Sequence, residues 1–404
     1  MEVYLGIDWG ESSHAVVFVD GEGKELCRKK VEHSVNGFGE IDDLRRGLGV
    51  TKEECVVGVE TAHNLIIDWL LGYGYSQVYV IPPNVTRSRQ RSYRQSGAKT
   101  DESDGYLIGN LLRTERHRMI QWRPDSELTQ RLRAKVRLRS QLVVDRTAHY
   151  NQLRQTLLRY YPAALEPFGL NSRIALDFVQ RYPTPAAAGK LKYSEFESFA
   201  KGHRYPANGI AGAYAKLGVE QPTALPITVE TYQEEAVLLA QLLSEVKGHI
   251  GRIERSIAEL FSQHADREIF ASLPGVGEHL APALLVKFGD DRERFPDAGA
   301  IQALAGTAPV TSQSGKSRSV RFRQACDHEF RTYMYQWAAL SIKYSPWAAT
   351  YYAQARQRGL SHNHTCRALG NRWLKILWKL WQNRECYDQD RHLAKTLYFR
   401  QKSH

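Results

Sequence analysis

The sequence has little that would point to a secreted, disulfide-linked or membrane protein. Its five cysteines are scattered and odd in number, with no C-x-x-C pair, so neither a disulfide framework nor a zinc knuckle is indicated. No apolar run reaches the roughly 18 residues needed to cross a bilayer, and the first residues lack the basic and apolar regions of a signal peptide. We therefore expect a cytoplasmic protein with no membrane partner.

A complete nucleotide-binding phosphate loop is also missing. The segment SGKS at residues 314–317 resembles the end of such a loop, but Val310 stands five positions before Gly315, where the loop requires glycine. An ATP site is therefore not expected.

Positive charge, by contrast, is in excess. The 404 residues contain 55 Lys and Arg against 44 Asp and Glu, which gives a formal net charge of +11. Lys and Arg gain affinity for polyanions by releasing counterions from phosphates. The composition favours a nucleic-acid partner, and the length favours two or three domains.

The order of apolar patterns predicts the domain organisation. Short apolar runs separated by glycine turns, followed by alternating helix and strand, predict a mixed α/β sheet in the first hundred residues. Apolar stripes at about 124–161 and 228–264 predict two long helices that pair as an antiparallel coiled coil, either within the chain or between subunits. The segment between them is rich in proline, glycine and alanine, which predicts short helices and loops. We divide the chain into 1–122 (α/β), 123–268 (helical, with an insertion at about 165–227), 269–390 (mostly α) and a basic tail, 391–404.

Four acidic residues form the main candidate site. Asp8 ends the first apolar strand and Glu60 ends a later one, while the spacing of Asp101 and Asp104 places both on one helix face. Four converging carboxylates would repel one another unless divalent cations bind, and such cations activate or orient a nucleophile at a phosphate. In a basic protein this pattern predicts a Mg²⁺-dependent enzyme that acts on nucleic acid.

Three further segments predict nucleic-acid contact. The segment RSRQRSYRQSGAK is basic and contains no acid, and LPGVG predicts a tight turn between helices that resembles a helix-hairpin-helix element and can hold a phosphate. The third segment is the basic stretch that follows Ser314. The candidate contact residues are Arg87, Arg89, Arg91, Arg94 and Lys99, then Gly275 and Gly277, then Lys316, Arg318, Arg321 and Arg323.

Two other signals favour structural roles. His362, His364 and Cys366 lie close together, but no second half completes a zinc site. The helix NRWLKILWKLW repeats Trp and Leu along one side, which is typical of core packing.

The acidic motifs are similar to those of a known family. GIDWG, GVET and KTDESDG occur in this order within residues 6–105 and resemble the Asp-Glu-Asp-Asp motif of the bridge-RNA-guided insertion-sequence transposases. The N-terminal domain of that family resembles the RNase H-like RuvC resolvase. The resemblance implies that Asp8, Glu60, Asp101 and Asp104 bind Mg²⁺.

The stretch 304–331 resembles the C-terminal serine transposase domain of the same family. The resemblance implies that Ser314, which precedes a glycine, attacks DNA and becomes linked to phosphate, with Ser312 and Ser317 as alternatives. It also implies donor and target DNA, a structured noncoding guide RNA, and a homo-oligomer (a dimer or a dimer of dimers). In that assembly the acidic and serine domains form a composite site.

Two other functions fit parts of the sequence. A metal-dependent junction resolvase would use the same carboxylates, cleave with water and use the C-terminal domain only to bind DNA. An actin-like sugar kinase is suggested by GIDWGESS, which resembles a phosphate-binding hairpin. The basic segments and the pair Asp101 and Asp104 argue against the kinase.

Overall fold

The apolar runs at the start of the chain form five strands, β1 (Val3–Trp9), β2 (Ser13–Val19), β3 (Glu25–Glu32), β4 (Cys55–Val59) and β5 (Val78–Val80). They make one mixed sheet in the order β3-β2-β1-β4-β5. The computed structural model of the chain describes residues 2–60, 65–93, 101–314 and 317–390. β2 runs antiparallel to β1 and β3, whereas β1 and β4, and β4 and β5, pair in parallel. The predicted mixed sheet is confirmed.

Helices cover both faces of this sheet. One face packs against two helices through Phe38, Ile41 and Ile67, and the other packs against a third helix through Ile108 and Leu112. The first helix begins directly after Ser34, whose hydroxyl accepts a hydrogen bond from the Gly37 amide and caps it. The helices are α1 (Val35–Gly47), α2 (Leu65–Gly72), α3 (Pro83–Tyr93) and α4 (Asp101–Glu115), followed by a 3₁₀ turn at Arg116–Arg118.

Two long helices dominate the rest of the chain, α5 (Glu127–Tyr160) and α10 (Pro226–Ser262). They pack against each other within the chain and run antiparallel, since Leu132 shares a hydrophobic cluster with Ile257 and Leu153 shares another with Leu243. The predicted pairing of two long helices is thereby confirmed.

Each end of the helix pair carries its own core. At one end, short helices of the insertion pack on the end of α5 and the start of α10 around Phe178 and Phe196. At the other end, the C-terminal helices pack around Trp337, Trp373 and Trp381, which confirms core packing for the Trp-rich helix. The helices are α6 (Arg173–Arg181), α7 (Pro185–Gly189), α8 (Tyr193–Gly202), α9 (Ala207–Leu217), α11 (Arg267–Ala271), α12 (Gly277–Phe288), α13 (Ala298–Leu304), α14 (His328–Tyr344), α15 (Pro346–Gln357) and α16 (His362–Asn383). Two further 3₁₀ turns lie at Pro162–Leu165 and Arg292–Arg294.

The C-terminal region also contains a β-hairpin that the sequence pattern did not predict. Its strands, β6 (Val310–Ser314) and β7 (Ser317–Arg321), pair antiparallel. Their apolar residues are too few to produce an alternating pattern.

The chain divides into two compact units, Met1–Pro124 and Asp125–His404. The finer division into four segments stays a prediction. Among the residues that the structure describes, no helix is both long enough and apolar enough to span a membrane.

Candidate active site

The first two carboxylates lie at the ends of two neighbouring parallel strands and at the same register. The last cross-strand pair of β1 and β4 joins Ile7 to Val59. The next residue along the chain is Asp8 in β1 and Glu60 directly after β4. Neighbouring strands lie about 4.8 Å apart, and residues at one register point to the same face. This is the face that packs against α4, because a Cβ on Gly58 would lie 2.7 Å from Ile108 Cγ2.

Helix α4 reaches this edge of the sheet through direct backbone contact. A Cβ built on Gly6 would lie 2.0 Å from the carbonyl oxygen of Gly105 and 2.5 Å from the amide nitrogen of Gly109. Only glycine permits so close an approach. Asp104 immediately precedes Gly105, and its side chain is buried. The glycine contact therefore brings Asp104 to the strand that carries Asp8.

This contact gives a testable prediction. Gly6→Ala should destabilise the N-terminal unit by about 3 kcal/mol or more, because backbone atoms of α4 would have to move. Gly47→Ala is the matched control, since a Cβ there meets nothing within 4 Å. Chemical denaturation measures both. Equal stability of the two variants would contradict the close packing of β1 and α4.

Glu60 is held by a residue that the sequence analysis missed. Thr86 of α3 is buried, and its hydroxyl donates a hydrogen bond to Glu60 Oε1 at 2.6 Å. A lone threonine in a basic segment gave no signal of this contact, which depends on the return of α3 to the end of β4.

The fourth predicted carboxylate is only partly described. Asp101 is the first residue of α4, but its side chain lies outside the described residues. Within the described part of the chain, no three His, Cys, Asp or Glu side chains form a metal-binding group. The metal set of Asp8, Glu60, Asp101 and Asp104 therefore stays a prediction.

A buried histidine lies behind the strand end that carries Asp8. The His14 ring stacks on Trp9 at a centroid distance of 4.0 Å, and its Nδ1 accepts a hydrogen bond from the Gly10 amide at 3.3 Å. Among the described residues, His14 Nε2 has no hydrogen-bond partner. Burial, with a smaller contribution from His33, lowers the pKa of His14 to about 4. Neutral His14 therefore holds the turn directly after Asp8.

The depressed pKa of His14 predicts a loss of stability in acid. The unfolded chain takes up a proton near the ordinary pKa of 6.5, whereas the folded chain does so only near pH 4. The free energy of unfolding should therefore fall by up to about 2 kcal/mol as the pH drops through this window. His14→Phe, which can still stack on Trp9, should remove this contribution, whereas exposed His364→Phe should not. Unfolding curves at several pH values give the dependence of the free energy of unfolding on pH. The same dependence in His14→Phe and the wild type would show that His14 does not cause the loss of stability in acid.

The basic segment before α4 is partly helical. Arg87 is exposed on α3, whereas Arg89 forms a 2.8 Å ion pair with Glu115 of α4. The side chain of Arg91 and all of Arg94 and Lys99 lie outside the described residues. Of these two arginines, Arg87 is therefore the better placed to contact a phosphate.

The predicted turn between helices lies between α11 and α12. Gly275 and Gly277 have φ of +80° and +58°, a region that favours glycine. A Cβ on Gly275 would lie 3.1 Å from Tyr344 Cδ2, and Trp337 Nε1 donates to the Pro274 carbonyl at 3.0 Å. Gly275 thus serves packing on α14, whereas Gly277 is exposed. Phosphate contact by the two glycines stays a prediction.

The three candidate nucleophiles share one face of the hairpin. Ser314 pairs with Ser317 and Ser312 pairs with Ser319, and cross-strand partners point to the same face. Ser312, Ser314 and Ser317 are all exposed. The exposed Arg321 lies on the same face, because it pairs with Val310.

Of the remaining basic candidates near the hairpin, only the side chain of Arg323 is described. Arg323 Nε donates a hydrogen bond to the Ala308 carbonyl at 3.2 Å, which holds the chain just after the hairpin. Lys316 and the side chain of Arg318 lie outside the described residues.

The His and Cys residues near the start of α16 form local contacts. His362 Nδ1 lies 2.8 Å from the Tyr352 hydroxyl, and its ring approaches the Cys366 sulfur at 3.6 Å. Cys366 is fully buried, so it packs in the core rather than at the surface.

Comparison with known proteins identifies the class. A family model described as transposase, of the DEDD IS110 type, matches residues 5–162, and a model described as transposase IS116/IS110/IS902 family matches residues 267–353. These two domains define a DNA transposase, an enzyme that acts on DNA.

The chain belongs to the IS116/IS110/IS902 family of transposases. It is 31% identical to a Streptomyces coelicolor protein named as a candidate transposase for the mini-circle IS117, over 98% of each chain. It is 28% identical to a 42 kDa protein of insertion element IS900 from Mycobacterium paratuberculosis, over 95% of this chain and 97% of the relative. A 44.8 kDa protein of IS116 from Streptomyces clavuligerus is 27% identical, over 95% and 96%.

Proposed function

We propose that the protein is an RNA-guided DNA transposase that cuts and exchanges strands through a serine–phosphate intermediate, assisted by a Mg²⁺ site. The observation that carries the proposal is the common register of Asp8 and Glu60, together with the backbone contact between Gly6 and Gly105. This arrangement supports convergence of carboxylates from two strands and one helix. It also supports a RuvC-like domain.

The chemistry of this edge suits a divalent cation. Carboxylate oxygens are the donors that Mg²⁺ prefers, and Asp8, Glu60, Asp101 and Asp104 would supply them. Bound Mg²⁺ would offset the negative charge that develops on a phosphate during attack. The Thr86 hydroxyl would orient the Glu60 carboxylate toward a bound cation through its hydrogen bond to Oε1.

The covalent step belongs to the exposed serine at the end of β6. Ser314 Oγ would form a bond to phosphorus while the bond from phosphorus to the departing strand's oxygen breaks. The hydroxyl proton leaves to a base, and the departing oxygen takes up a proton. One phosphate diester replaces another, so the strand can be rejoined without ATP. Arg321 on the same face would stabilise the charge on the phosphate.

The nucleic-acid partners follow from this chemistry and from the family. Donor and target DNA would be the substrates, and a structured noncoding RNA would pair with them while the protein recognises its shape. The turn at Gly275 and Gly277 would act as a helix-hairpin-helix phosphate contact. The acidic and serine domains would act together in a dimer or a dimer of dimers.

Strand exchange in a purified system tests this function. Labelled donor and target DNA are incubated with the protein and Mg²⁺, with and without the noncoding RNA of the element. Joined donor–target strands should form only when Mg²⁺ and the RNA are both present. Cleavage by water without joining would instead support the junction resolvase.

The basic charge predicts binding that weakens steeply with salt. For about five phosphate contacts, the affinity for duplex DNA should fall by roughly 10²–10³-fold between about 50 and 200 mM salt. Arg87→Gln should lower the slope of this dependence by about one. Arg89→Gln should lower it less, because Arg89 already pairs with Glu115. Fluorescence anisotropy measures the slopes, and an affinity flat with salt would contradict phosphate contact.

A further inference from the structure

The described residues of the β6–β7 hairpin are exposed, apart from the half-buried Ser319. All five residues of β6 are exposed, and on β7 the Val320 side chain is 60% exposed. None of the described residues of the two strands belongs to a hydrophobic cluster. A lone two-stranded hairpin is only marginally stable in water, so the exposed faces favour a partner that covers them.

The base of the hairpin is firmly held, in contrast to its strands. The guanidinium groups of Arg331 and Arg367 lie 4.4 and 4.7 Å from the centroid of the Phe322 ring. Arg331 also donates a hydrogen bond to the Arg323 carbonyl. Contacts between cations and an aromatic ring, together with this hydrogen bond, fix where the hairpin leaves α14 and α16. It therefore projects from a fixed base.

The charge of the hairpin identifies the chemistry of the partner. Residues 310–323 contain Lys316, Arg318, Arg321 and Arg323 and no acidic residue. Exposed hydroxyl and amide groups line both strands, at Thr311, Ser312, Gln313, Ser314 and Ser317. Cationic and hydrogen-bonding groups without acids suit a phosphate backbone and the polar edges of bases.

We infer that the β6–β7 hairpin docks in the major groove of duplex DNA beside the phosphate that is cut. The major groove of B-DNA, about 12 Å wide, admits a two-stranded ribbon. Strands of five residues are about 17 Å long, enough to cross the groove. The major groove of an RNA duplex is too deep and narrow for such a ribbon, which favours DNA as the occupant.

This docking would deliver the proposed nucleophile. With the hairpin in the groove, the face that carries Ser314 and Arg321 meets the backbone at the groove wall. The opposite face carries Thr311, Gln313 and Val320. The claim that the cut phosphate lies beside the hairpin rests on the proposed function of Ser314. The claim that the hairpin docks in the major groove does not.

The test uses the full-length Ser314→Ala protein, so no result depends on strand cleavage. A duplex DNA that spans an end of the element is treated with dimethyl sulfate, which methylates guanine N7 in the major groove. The bound protein should protect guanines near the cut. Adding Val320→Glu should remove this protection and weaken duplex binding about tenfold, because a carboxylate would enter the groove.

Val219→Glu is the matched control, since Val219 is 59% exposed and lies far along the chain between α9 and α10. It should leave affinity and protection unchanged. Val320→Thr should also retain both, because threonine favours strands and carries no charge. The inference is overturned if Val320→Glu leaves the protection intact. It is also overturned if that variant loses affinity for an RNA duplex of the same sequence rather than for DNA.

Discussion

Glu60→Gln should slow strand cleavage and exchange by roughly 10³-fold while leaving DNA binding intact. The glutamine amide oxygen can still accept the hydrogen bond from Thr86, which lies 2.6 Å from Glu60 Oε1, so the end of β4 keeps its geometry. What is lost is one negative charge at the proposed Mg²⁺ site. Metal ions stabilise charge in the transition state by several kcal/mol, so the rate should fall by roughly 10³-fold.

The control for this variant is Glu53→Gln. Glu53 is exposed and precedes the other end of β4, so its charge does not reach the carboxylate edge. Single-turnover cleavage of labelled DNA separates the two, and anisotropy confirms that binding is retained. A wild-type rate for Glu60→Gln would show that Glu60 is not a metal ligand.

The second large effect is expected for Ser314→Ala, which should abolish strand exchange. Without the Ser314 hydroxyl, no phosphodiester to that residue can form, so the protein–DNA adduct and the joined strands should both be absent. The hairpin itself should persist, because the Ser314 side chain is exposed and the pairing of β6 with β7 uses backbone groups.

Ser312→Ala is the matched control for this prediction. Ser312 lies on the same strand and the same face, two residues earlier, and it is equally exposed. It should retain strand exchange. Adduct formation by Ser314→Ala, together with its loss in Ser312→Ala, would reassign the nucleophile.

Much of the fold could be predicted because its signals are local. The apolar runs VYLGI and HAVVFV reflect burial of their strands, and the apolar stripes of α5 and α10 reflect burial of one side of each helix. The alignment of Asp8 with Glu60 also follows from such signals, since both residues directly follow apolar runs that became neighbouring parallel strands.

The features that the sequence did not predict all depend on the three-dimensional surroundings of the residues. Gly6 reads as a strand-weakening residue, and its role appears only when Gly105 lies against it. Thr86 and His14 act through Glu60 and Gly10, whose positions the local sequence does not determine. The hairpin of β6 and β7 could not be predicted, because β6 is exposed on both faces and its sequence therefore does not alternate between apolar and polar residues.

Mass spectrometry of the protein–DNA adduct tests the central claim most directly. Wild-type protein is incubated with DNA, the noncoding RNA and Mg²⁺, then denatured and digested, and the peptide that carries a nucleotide is sequenced. We expect the nucleotide on Ser314, and no modified peptide when Mg²⁺ is chelated or when Glu60 is changed to Gln. Cut DNA that accumulates with no modified peptide would contradict the account.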